Sequence, residues 1–194
     1  EAAWVSMLQD EKAVTIAYVG RLEKRKGIDL VLEAIPRVAK QCPQARFLIV
    51  GEDIVEDPLV GSHQELFLKN HSGTDLAESV LFTGRVSDDD LSYIFQNCDI
   101  FVAPSRFESF GLIFIEAMSG GTPVVALSVG GATEIVRDGI DGILVDPDDS
   151  GALAEGLIKL VENSEQRIWM GKNALERFNS AFTAEKMAKD MVTA

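Results

Sequence analysis

PSRFESFGLIFIEAMSGGTPVV, residues 104–125, is the stretch on which the reading of the chain turns. It begins as a loop carrying Ser105, Arg106 and Glu108. A turn at Phe110 and Gly111 follows, then an apolar helical run that holds Glu116. Gly120 and Gly121 stop that helix, and Pro123 opens a new strand. A glycine at a helix start lets a ligand approach the backbone. The first N–H groups of a helix have no intrahelical partner and the dipole is positive there, so an anion such as phosphate is favoured. Glu108 and Glu116 flank that position. Close to a phosphate they would repel it, so their expected use is to accept hydrogen bonds from hydroxyls, as the acidic residue of dinucleotide folds does with ribose. Phosphate together with hydroxyls points to a nucleotide-sugar.

Outward from this stretch, short apolar runs alternate with helical patterns. VTIAYVG (residues 14–20), RFLIVG (46–51), VLFTG (80–84), DIFVAPS (99–105), PVVAL (123–127) and GILV (142–145) read as strands. Ile28, Val31, Leu32, Ile35 and Val38 recur at helical spacing, with Pro36 expected to kink that helix or end it early. Ser87 followed by Asp88, Asp89 and Asp90 reads as a helix N-cap with an acidic first turn. Helices are also expected over residues 64–70, 133–136, 152–162, 165–179 and 183–192. Residues 1–12 show no period, and residues 52–79 are irregular. Continuous apolar strands between helices predict a parallel sheet covered on both faces, an α/β doubly wound, Rossmann-like fold with six strands. Ligands of such folds sit at the carboxyl ends of the strands.

The 194 residues amount to one domain over 1–194, with a core over about 13–163 and trailing helices over about 164–194. The chain begins Glu1-Ala2-Ala3 without an initiator Met, and is expected to be a piece of a longer protein. The net charge of −13 argues against nucleic acid or an anionic membrane as partner of the surface. No apolar run is long enough to span a bilayer. Cys42 and Cys98 lack metal-ligand spacing and read as buried thiols of a cytoplasmic chain.

Arg21, Lys24, Arg25 and Lys26 form the densest basic cluster, in the loop after the first strand. Arg21 and Lys26 either neutralise a diphosphate or belong to a solvated loop; Lys24 and Arg25 are expected in solvent. Glu116 lies in an apolar run, where an unpaired buried charge is costly, and this favours a functional role. Gly84, Arg85 and Val86 follow the third strand and either meet a base or form a plain turn. Gly130 and Gly131 read first as a turn into a helix. His63 and His71 have no metal or triad context. Neither GxxxxGK[ST] nor GxGxxG occurs, which removes support for a nucleotide triphosphatase or an ordinary dehydrogenase.

The order GRLEKRKGIDLVLEAI, FLIVGE, VLFTGRV, APSRFESFGLIFIEAMSGGTPVVA and GGATEIVRDGIDGILVDPDD resembles the carboxyl-terminal domain of family 4 glycosyltransferases, one half of a GT-B fold. The spacing of Glu108 and Glu116 is that family's EX7E signature. The resemblance covers about residues 14–162. It implies retaining transfer of a hexosyl-type sugar from a nucleotide-diphosphate sugar. Arg21 and Lys26 would hold the diphosphate, and Phe110, Gly111 and Leu112 would lie along the phosphates and sugar. Glu116 would hold the ribose, Val86 would sit by the base, and Glu108 would be the catalytic residue on the transferred sugar. No metal and no cofactor are expected. The acceptor, a sugar, a lipid or another molecule, would be held mainly by an amino-terminal domain absent from this chain, so the fragment alone is expected to be inactive. The full-length protein is expected in the cytoplasm, at most peripheral to a membrane. Two alternatives stay open: a nucleotide-sugar epimerase half-domain and a non-catalytic nucleotide-sugar-binding module.

Overall fold

A computed structural model of the chain describes residues 2–55, 61–183 and 186. Helix α1 (Ala3–Leu8) leads into strand β1 (Val14–Val19). A 3-10 turn (Lys24–Lys26) precedes α2 (Ile28–Gln41), β2 (Ala45–Val50), α3 (His63–Asn70), α4 (Asp75–Glu78), β3 (Val80–Gly84), α5 (Asp88–Asn97) and β4 (Ile100–Ala103). Then come α6 (Leu112–Ser119), β5 (Val124–Leu127), α7 (Gly131–Ile135), β6 (Gly142–Val145), α8 (Ser150–Glu162) and α9 (Ser164–Arg177). The end of α9 loosens into a π-helical turn (Phe178–Phe182).

The six strands form one sheet in the order β3-β2-β1-β4-β5-β6, every pair parallel. This is the doubly wound sheet that the apolar runs predict. Side chains alternate along each strand, so each strand feeds two cores. Ile100 and Val102 join α2 and α8 on one face; Phe101 and Ala103 join α6 and α7 on the other. The central strands are apolar on both sides because both sides are covered.

The structure corrects or completes four local expectations. Residues 3–8 form a helix, which sequence periodicity misses because it is too short to show one; Trp4, Met7 and Leu8 pack on the sheet beside Ala17 and Leu48. Pro36 does not end α2, which runs on to Gln41; the ring lies on a half-buried edge rather than in the core. Residues 63–70 are capped by a box in which the Ser62 hydroxyl accepts from the Glu65 N–H at 3.2 Å. The long helix expected to Asn179 passes into the π-helical turn, where the Arg177 guanidinium lies 5.3 Å over the Phe182 ring. The helix expected over residues 183–192, with Met187 and Met191, lies outside the described residues apart from Thr183 and Lys186. Among the described residues no helix is long and apolar enough to cross a membrane.

Candidate functional site

Strand order reverses between β1 and β4. The chain leaves β1 toward β2 on one side and returns to β4 on the other, so the loops that follow them diverge and leave a crevice at their carboxyl ends. A cleft of about 390 Å3 occupies that position. The loop after β1 contributes Gly20 and Lys26, the loop after β4 contributes Ser105, Glu108 and Ser109, and the start of α6 contributes Gly111, Leu112 and Glu116.

Gly111 is the N-cap of α6 with φ 80° and ψ 39°, a left-handed conformation that glycine adopts without a Cβ penalty. A Cβ there would stand 2.6 Å from the Phe114 ring and 3.2 Å from Ile135. The turn is therefore sterically closed to other residues. It sets the start of α6 at the wall of the cleft, and the unpaired leading N–H groups of a helix favour an anion. Phe110 and Leu112 are exposed at the rim.

The Lys26 ammonium donates to Glu108 Oε2 at 2.7 Å, and both side chains are largely shielded from solvent. The cation expected to meet phosphate and the carboxylate expected to meet the sugar thus hold each other across the cleft. The loop beneath Lys26 is shaped by buried Tyr18, whose hydroxyl donates to the Arg21 carbonyl at 2.9 Å and faces the Lys26 carbonyl at 3.5 Å. Burial, and then the Glu23 carboxylate, raise the pKa of that phenol, so it stays a donor.

Arg21 does not share this cleft. It lines a neighbouring hollow of about 330 Å3 with Glu52, Arg85, Val86 and Leu91; Val19 and Gly20 form the common wall. Its guanidinium pairs with Glu23 at 3.1 Å. The same Glu23 oxygen accepts from Arg25 at 2.8 Å, so Arg25 is exposed but paired rather than simply solvated. Lys24 is exposed.

Glu116 is exposed on α6 and borders the cleft. The cost of a buried charge is therefore not the reason for its position in an apolar run. Partial desolvation, and then the nearby Asp88 carboxylate, raise its pKa above the ordinary glutamate value.

Two features of the site escape a linear reading. The Glu108 carbonyl accepts from the Gly131 N–H at 3.0 Å, and a Cβ on Gly130 would stand 2.8 Å from that carbonyl oxygen. The glycine pair is a turn into α7, as expected, and it also buttresses the Glu108 loop. Arg106 forks onto Asp29 at 2.8 and 2.9 Å and reaches Asp148 at 2.5 Å. These carboxylates keep its pKa raised, the Asp29 hydrogen bonds most of all. Among the described residues no group of three or more His, Cys, Asp and Glu side chains is placed to hold a metal.

Residues 5–177 match the family of Glycosyl transferases group 1. The chain is similar to the phosphatidyl-myo-inositol mannosyltransferase of Mycobacterium leprae, 33% identical over 180 residues, which cover 90% of this chain and 45% of that protein. Among solved structures it is similar to a sucrose-phosphate synthase from Thermosynechococcus elongatus, with a TM-score of 0.82 and 30% identity over 97% of this chain and 46% of that one. It is also similar to the C-terminal domain of a glycosyl transferase group 1 family protein from Francisella tularensis, with a TM-score of 0.81 and 26% identity over 92% of both chains. The chain spans less than half the length of the curated relatives it matches.

Proposed function

The chain belongs to the glycosyl transferases group 1 family, and from that membership we propose that it is the donor-binding half of a retaining, family 4 glycosyltransferase of GT-B architecture. One observation carries the reading: Lys26, Glu108, the amino end of α6 and Glu116 line a single cleft at the point where strand order reverses. The donor diphosphate lies against the α6 N–H groups and Lys26. Glu108 accepts from hydroxyls of the transferred sugar, and Glu116 from the ribose. The base enters the adjoining hollow beside Val86, and Arg21 meets the diphosphate from that side after parting from Glu23. Phe110, Gly111 and Leu112 line the path of phosphates and sugar.

In the transfer, the bond from the sugar C1 to the diphosphate oxygen breaks, a bond from C1 to the acceptor oxygen forms, and the acceptor hydroxyl proton passes to the leaving diphosphate. Negative charge then grows on the leaving diphosphate. A preorganised helix amino terminus and an ammonium are the groups that stabilise it most there. This supply of positive charge makes a metal unnecessary. Glu108 and Lys26 must separate as the nucleotide-sugar enters, Lys26 exchanging the carboxylate for a phosphate oxygen and Glu108 exchanging the ammonium for sugar hydroxyls. The acceptor is held by the remainder of a longer protein, which faces Phe110 and Leu112 across the cleft.

A thermal-shift panel of UDP-, GDP- and ADP-sugars tests the binding, because a ligand of the native state alone raises its melting temperature. One nucleotide class is expected to stabilise the chain, and Lys26→Ala to reduce the shift markedly. No shift with any nucleotide-sugar defeats the reading. A product assay on the longer protein then separates a new glycosidic bond from an altered free sugar, the outcome for an epimerase.

A further inference from the structure

We propose that Arg106, which lines neither hollow, is a positioning residue that sets Lys26 and Glu108 in the cleft. Its contacts span three loops at the carboxyl edge of the sheet. The guanidinium forks onto both oxygens of Asp29 in the first turn of α2, at 2.8 and 2.9 Å. Its Nε donates to Asp148 in the loop after β6 at 2.5 Å, and its Nη1 also donates to the Lys24 carbonyl. The Arg106 backbone N–H donates to the Arg25 carbonyl at 3.0 Å. The loop after β4 is thereby tied to the start of α2 at Asp29, and to the loop after β1 at Lys24 and Arg25. The next residue along one chain segment is Lys26. Two residues along the other is Glu108.

The chemistry of the side chain matches this task. A guanidinium presents donors in a rigid plane, fits a carboxylate with two parallel hydrogen bonds, and has others left for further acceptors. Lysine keeps the charge but offers no fork. Asp29 and Asp148 surround Arg106 with negative charge, so it is neutralised where it stands and adds little field to the cleft. Its influence on a ligand must pass through the two loop residues it anchors.

The inference rests on the reading that Lys26 receives the donor phosphate, and a double-mutant cycle separates the two. Binding of UDP, with GDP and ADP in parallel, is measured by titration calorimetry on the chain and on Lys26→Ala, Arg106→Lys and the double variant. Lys26→Ala is expected to weaken binding by about tenfold or more, the loss of one charge-assisted contact. Arg106→Lys is expected to weaken it by about threefold to tenfold, the size of interaction seen between coupled neighbours. The double variant is expected to bind as weakly as Lys26→Ala alone, because a misplaced lysine cannot matter once the lysine is gone. Wild-type affinity in Arg106→Lys, or losses that multiply in the double variant, overturns the inference while leaving the donor site standing. Undiminished binding by Lys26→Ala overturns the donor-site reading and the inference with it. If Arg106→Lys does not fold, Asp148→Asn serves in its place, since it removes only the exposed arm of the clamp. A smaller loss, again absent in the Lys26→Ala background, is expected; a lowered melting temperature with unchanged affinity shows a staple of stability alone and overturns the inference.

Discussion

At the scale of single residues, the Lys26–Glu108 contact governs the free site. The carboxylate occupies the cation that we propose meets the diphosphate. Glu108→Gln keeps the shape and removes the charge. It is expected to tighten nucleoside diphosphate binding by about threefold to tenfold, since the competing charge-assisted contact is weakened. The same substitution is expected to depress sugar transfer by the longer protein. Calorimetry and a transfer assay read the two effects, and equal or weaker diphosphate affinity shows that the pair does not compete with the ligand. Glu116 carries a pH signature. Its pKa is raised by desolvation and by Asp88, so it takes up a proton at a higher pH than an ordinary glutamate. A protonated carboxyl is a poorer acceptor for ribose hydroxyls. Nucleoside affinity should therefore fall on acidification from just above the ordinary glutamate range, and Glu116→Gln should flatten that dependence. For folding the sign is opposite. A carboxyl whose folded pKa is raised costs stability while it is charged, and that cost is relieved as pH falls through the raised value. A titration of affinity against pH that is identical in the wild type and Glu116→Gln removes Glu116 from the binding site.

At the scale of elements, the turn at Gly111 positions the start of α6. Gly111→Ala places a Cβ 2.6 Å from the Phe114 ring at a left-handed φ. It is expected to cost about 1–3 kcal/mol of stability, the cost of a residue held in a sparsely populated backbone region. It should also weaken nucleotide binding, because the turn aims the amino end of α6. Gly139→Ala provides the control: its φ is also positive, but a Cβ there meets nothing within 4 Å. Chemical denaturation of the two variants checks the difference; equal losses mean that the Phe114 contact is accommodated. Most elements were legible because their signals are local. Ser87 caps α5 through the Asp90 N–H at 3.1 Å, as its acidic first turn foretold. Helix α1 was not, since six residues are too few for a period and its apolar side chains find their partners only on the folded sheet. The continuation of α2 past Pro36 was likewise undecidable from propensity alone, which tertiary packing overrides.

At the scale of the whole molecule, the cleft opens to solvent. Phe110, Leu112 and Glu116, which line it, are exposed. The 194-residue chain is therefore expected to bind its nucleotide, with a rise in melting temperature of about 5–10 °C at a hundredfold excess over Kd, and to transfer little sugar. Donor and acceptor must be held together for transfer, and in the proposed function this chain supplies only the donor side. Robust glycosidic bond formation by the isolated chain would falsify this division of labour. The sequence by itself determined the alternation of strand and helix, the glycine turn before α6 and the spacing of Glu108 and Glu116, because each is a property of neighbouring residues. It also pointed to the loops at the carboxyl ends of the strands as the expected ligand edge. The pairing of Lys26 with Glu108, the separation of Arg21 into its own hollow and the clamp made by Arg106 were decided only by the tertiary structure. Lys26 and Glu108 are 82 positions apart, and Arg106 and Asp29 are 77 apart. They meet because β1 and β4 lie side by side in the sheet, and that adjacency follows from how the strands pack and cross over, which local periodicity does not encode.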